Sequence, residues 1–206
     1  SDKAVLSSIA TSAVSNLDET GLASNELSVY ASIAVQGPVE YIDDAGYSNE
    51  DIGELIEAVS SGAITGLGGI DSSLVQGFSA ASFVPLAAAI AGGAVEGINK
   101  IDNIEQQTLK SSLEGISSGA GAAIVNLQTT DSFDSTLAAS MLGSISEGAT
   151  KSIDTLTVQG SLSNEDLIGS ISGGTVTAVA NLDSSFDESF AFSPDLALAE
   201  LSEGIN

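Results

Sequence analysis

The chain has 206 residues, with 28 Asp and Glu against four Lys and Arg, a formal net charge of −24, and no Cys, His or Trp. Such a surface repels nucleic-acid phosphates and anionic membrane. It also rules out a disulfide framework, thiolate or imidazole metal sites and a His-assisted Ser or Cys nucleophile.

A single domain over residues 1–206, with a real core, suits this length. Ala13-Val-Ser-Asn-Leu17-Asp18 matches Ala178-Val-Ala-Asn-Leu182-Asp183 almost residue for residue, which predicts a first helix over about 4–17. A second helix is expected from about Leu27 to Ile42. It carries Gly37-Pro38 where other copies have Gly-Ala, and Pro38 should kink or split it. Ser24-Asn-Glu26, Ser48-Asn-Glu-Asp51 and Ser163-Asn-Glu-Asp166 read as caps followed by acidic first turns. Ser193-Pro-Asp195 does the same with Pro at the first helical position. Thr108 and Ser135 or Thr136 are the candidate caps of the fifth and sixth helices. Helices should then begin near 27, 51, 84, 109, 137, 166 and 195. Residues 72–95 carry no charge and are long enough to cross a bilayer. Gln76, Gly77, Ser79, Ser82 and Pro85 interrupt that run, and basic flanks are missing. It is expected to be a buried central helix and its preceding loop, with no stable membrane span.

Most of these helices share one pattern. A central Gly recurs at 62, 93, 119, 148, 174 and 204, in steps that alternate long and short. The unit is a helix and loop of about 28 residues, and a helical hairpin of about 56. The fold class expected is all-α: consecutive antiparallel hairpins, seven helices and the start of an eighth. They form a compact bundle or a short α-solenoid, and the many small residues favour the compact form. Only residues 155–158 suggest any local strand pairing. A mid-helix Gly costs about 1 kcal/mol relative to Ala. Repeating that cost points to close approach of neighbouring helices; the competing reading is a ligand channel lined by bare backbone.

A second regularity is an aliphatic residue followed by Asp at helix ends: Leu17-Asp18, Ile42-Asp43, Ile70-Asp71, Ile101-Asp102, Ile153-Asp154 and Leu182-Asp183. A carboxylate there faces the negative end of the helix dipole, so something must compensate. Capping of the local turn is one solution and cation binding the other. The acidic loops Asp18-Glu19, Asp43-Asp44 and Asp131 with Asp134 offer oxygen ligands, but none fits an EF-hand loop. Asp183, Asp187 and Glu188 form the best cluster for a divalent cation, with Ca²⁺ the cofactor they suit. No other cofactor is expected.

No catalytic set emerges. The only basic side chains are Lys3, Lys100, Lys110 and Lys151, and no phosphate-binding loop with its Lys occurs. Sugar-stacking aromatics are scarce. The aromatics fall mostly in expected loops. Phe186, Phe190 and Phe192 are the candidate self-association contact. The expectation is a non-enzymatic structural protein at the cell surface or outside the cell, a homo-oligomer or polymer such as a filament, sheath or surface layer. The alternatives are a monomeric acidic module for divalent cations or a basic partner, and an apolar-ligand carrier with a cavity near Val84–Ile98.

Overall fold

The apolar periodicity resolves into eight α-helices in a computed structural model that describes residues 2–128, 130, 132–158, 160–186 and 192–204. They are α1 (Asp2–Ser15), α2 (Leu27–Asp44), α3 (Asn49–Leu67), α4 (Phe83–Ile98), α5 (Gln106–Ala123), α6 (Ser135–Ser152), α7 (Asn164–Ser185) and α8 (Pro194–Gly204). No strand occurs among the described residues, and 153–155 form a 3₁₀ turn. Helix starts lie within a turn of the positions expected. Ser163 and Asp166 form a reciprocal capping box: Ser163 Oγ accepts from the Asp166 backbone N–H and Asp166 Oδ2 accepts from that of Ser163. These bonds from Ser163 pull the Asp166 carboxyl below its usual range.

Three expected caps are corrected. Ser24 donates across to the Gly77 carbonyl at 3.1 Å, while Glu26 accepts the Ala23 N–H and ends the turn before α2. Thr108 lies inside α5, buried, donating to the Asn49 carbonyl at 3.2 Å. α6 is capped by Asp134, which accepts the Leu137 N–H at 2.8 Å, and not by Ser135 or Thr136. Pro38 neither ends nor splits α2. Val35, Val39 and Ile42 around it are fully buried, and packing of that face carries the helix across the missing hydrogen bond.

Connectivity is between alternate helices. α1, α3, α5 and α7 pack side by side in one layer, and α2, α4, α6 and α8 in another. The core fills the space between and within the layers; Leu6, Ile56, Leu113, Leu27, Leu86 and Leu142 are all buried. Within a layer the helices run parallel. Gly62 and Gly66 of α3 face Ser7 and Thr11 of α1 in the same order, and Gly115 and Gly119 of α5 face Gly53 and Glu57 of α3 likewise. The result is a compact two-layer bundle in which α1 and α7 make no substantial contact, so the stack is not closed.

Glycine makes these seams possible. A Cβ on Gly62 would lie 2.2 Å from the Ser7 carbonyl oxygen, and on Gly119 2.6 Å from that of Glu57. On Gly174 it would lie 2.2 Å from the Glu114 oxygen. In the other layer, a Cβ on Gly93 would lie 2.4 Å from the Ser32 carbonyl oxygen, and on Gly148 2.1 Å from that of Ala88. Five repeated glycines therefore bring backbone against backbone, and the close-packing expectation holds. The uncharged run becomes α4 and its approach. The segment Ala80–Ile98 is long and apolar enough to cross a membrane by length and composition, and most of it is buried in the protein.

Loops are tied to the loop one hairpin further on. Asp18 Oδ2 accepts the Asp71 N–H at 2.7 Å, and Asp43 Oδ1 accepts the Asp102 N–H at 2.8 Å. Asn99 holds Thr157 and Thr155, and Asn49 accepts the Glu105 N–H at 2.9 Å. Asp71 instead accepts the Ser73 N–H in its own turn. For Asp18 and Asp43, the compensation sought at helix ends is thus a backbone donor on a neighbouring unit.

Three outcomes test this account by urea unfolding. Gly148→Ala should lose about 1–3 kcal/mol, since the new methyl meets main chain that cannot swing aside. Gly169→Ala, with nothing within 4 Å, should gain up to about 1 kcal/mol. Asp18→Ala should cost about 1–3 kcal/mol by stranding the Asp71 N–H, and Asp18→Asn, which keeps an acceptor, clearly less.

Candidate functional site

The sequence-predicted residues fall at the end of the last hairpin. Asp183 is exposed near the C-terminus of α7. Asp187, Glu188 and Phe190 lie outside the described residues, as does Asp131. Phe186 and Phe192, in the α7–α8 connection, pair with ring centroids 5.3 Å apart and rest partly buried against the core. Among the described residues, no group of three or more Asp and Glu stands close enough to hold a metal ion.

Packing helices through glycine leaves shallow troughs along the layer of odd-numbered helices. The trough between α3 and α5, about 340 Å³, is lined by Glu50, Glu54, Glu57 and Glu114 with Ser111 and Ser118. Its neighbour between α5 and α7, about 370 Å³, holds Glu114, Glu165 and Asp166 beside Lys110. Burial pushes the Glu57 carboxyl up, Glu54 and Glu114 push it further, and Lys3 opposes them. Lys3 itself is ion-paired with Glu54. A third hollow, about 300 Å³, lies at the start of α4 among Ile70, Phe78 and Phe83. It is the described feature nearest to the apolar cavity expected around Val84–Ile98.

The other unusual surfaces are the two ends of the stack. Among the described residues, every large exposed hydrophobic residue but Leu74 belongs to a terminal hairpin: Val5 and Ile9 on α1, Val29, Tyr30, Ile33 and Tyr41 on α2, Val176 on α7 and Leu198 on α8. Position in the stack explains the exposure. Counting from the repeated Gly, Tyr30 corresponds to Leu86 and Met141, both fully buried. Val176 corresponds to Ile64 and Leu198 to Leu142, again fully buried, yet these two are 51% and 42% exposed.

No family model matches this chain, and no curated protein matches it. The surfaces themselves must carry the reading. The N-terminal face was missed from sequence because an outward residue on α2 has the same spacing as an inward one on α4. The available signal was bulk: Ile33 and Tyr41 stand where α4 carries Ala89 and Gly97.

The trough generates a pH-dependent outcome. A carboxyl whose folded pKa is raised favours the fold below its unfolded pKa, and that preference is lost as pH rises through the folded value. Glu57→Gln should therefore be more stable than the parent at pH 7. The gain should shrink as pH falls through the raised Glu57 value and be gone below the ordinary glutamate range, in urea melts run across that interval.

Proposed function

We propose that this chain is a non-enzymatic structural protein of the cell exterior whose work is self-association into an extended assembly. The observation that carries the reading is that, among the described residues, the large exposed apolar side chains other than Leu74 fall in the two terminal hairpins of an acidic repeat stack. Apolar patches of this kind, rimmed by polar surface, are interaction sites more often than accidents. Stacked-repeat proteins need polar outer faces to remain monomeric, and the outer faces of α1 with α2 and of α7 with α8 carry exposed apolar residues instead. The cell exterior fits a chain without Cys whose acidic surface avoids nucleic acid and anionic lipid.

A second reading keeps the protein monomeric, with the Glu50–Glu54–Glu57–Glu114 trough receiving a basic segment of a protein partner. The raised carboxyl of Glu57 favours it, because an incoming cation would relieve the repulsion there.

Light scattering and negative-stain microscopy at micromolar protein separate the two. Self-association predicts mass above 20.5 kDa that grows with NaCl, since salt screens the repulsion between copies of net charge −24. A monodisperse 20.5 kDa species from low to molar salt overturns it. A melting temperature raised by an oligolysine peptide but not by NaCl of equal ionic strength, in such a monomer, supports the second reading.

A further inference from the structure

Resting on the reading in which a basic segment enters the α3–α5 trough, we infer the group that segment presents and the point it occupies. It is the ammonium of a partner protein's lysine, seated at Gly53 and Ser111 between Glu50, Glu57 and Glu114. The odd-numbered layer has three seams, and two of them already hold a lysine at the corresponding point.

Glycine contacts set the three seams in register. Gly62, Gly119 and Gly174 face the main-chain carbonyls of Ser7, Glu57 and Glu114 respectively. Four residues before those partners, one turn earlier on the same helix, stand Lys3, Gly53 and Lys110. Eight residues before the three glycines, on the opposing helix, stand Glu54, Ser111 and Asp166. In the α1–α3 seam Lys3 is ion-paired with Glu54. In the α5–α7 seam Lys110 and Asp166 line one trough, and the lysine favours the charged form of that carboxyl. The middle seam has neither member of the pair. Gly53 takes the place of the lysine and Ser111 that of the acid.

A hollow stands where the pair is missing. Gly53 and Ser111 themselves line the trough of about 340 Å³, with Glu50 and Glu57 from α3 and Glu114 from α5. Glu54 also lines it and is already engaged by Lys3. The seam closes beneath this hollow. A Cβ on Gly53 would lie 2.8 Å from Ser111 Oγ, and one on Gly115 3.0 Å from the Gly53 carbonyl oxygen. A lysine rooted at position 53 is therefore crowded out, and a counter-charge at this point has to come from another molecule. Glu57, desolvated and repelled by Glu54 and Glu114, gains most from its arrival. Lysine suits the place better than arginine. Its compact ammonium has three donors to divide between the two helices, whereas the planar fork of a guanidinium matches a single carboxylate.

The test is a titration of the ¹⁵N-labelled protein with blocked trilysine and, separately, blocked triarginine, followed through amide shifts. Trilysine should shift Gly53, Ser111, Gly115 and Ser118 saturably. Glu57→Gln and Glu114→Gln should each weaken that binding about three- to fivefold, the loss that one partly exposed ion pair allows. Glu147→Gln, in the other layer beside Lys151, should leave it unchanged. Triarginine that binds the trough as tightly as trilysine overturns the lysine assignment and leaves the basic-segment reading standing. Trough shifts insensitive to both Glu57→Gln and Glu114→Gln overturn the seat in the same way. Shifts spread evenly over the acidic loops, or none in the trough, remove both.

Discussion

Contact between a glycine and a carbonyl one hairpin earlier is the constraint on which the rest of the molecule depends. It sets the distance between helices in each layer at a value no side chain at that point would permit. The seams must then be filled by small residues, and serine supplies many of them. Ser60, Ser112 and Ser117 are fully buried with hydroxyls that find no partner, a penalty of about 1–3 kcal/mol for each group left unsatisfied. Small volume outweighs polarity there. Where two hydroxyls do meet across layers, Ser146 and Thr175, they bond to each other at 2.6 Å.

The charge distribution follows the same packing. Small residues fill the seams, and acidic residues fall on the solvent faces that the helices show. Two ion pairs, Lys3–Glu54 and Lys151–Glu147, occur among the described residues, and their side chains are largely exposed. Exposed pairs of this kind contribute about 0–1 kcal/mol. Buried aliphatic surface and the seams must therefore hold the fold against its own net charge.

Much of this architecture was legible in the chain because its signals are local. Aliphatic spacing located the helices, and recurrence of Gly within them located the seams. Ser163 and Ser193 marked helix starts through bonds made within one turn. What misled were residues whose partners lie one hairpin away. Thr108 has the chemistry of a cap but bonds to Asn49, and Ser24 bonds to Gly77. The aliphatic-Asp pairs looked like ligands because their acceptors' partners, the N–H groups of Asp71 and Asp102, are about 55 residues distant. The surfaces of greatest functional interest were hidden for a related reason. Val5, Ile9 and Tyr30 have core-like spacing, and only their place at the edge of the stack leaves them exposed.

Ties between equivalent loops have a consequence for how such a molecule changes size. Each loop grips a counterpart one hairpin away, and each helix meets its counterpart in the same layer. A hairpin of about 56 residues can therefore be duplicated or lost from the middle with its joints restored on both sides. Neither end face is altered by such an event. Gene-level expansion and contraction would change the number of stacked hairpins and leave the two end faces as they are.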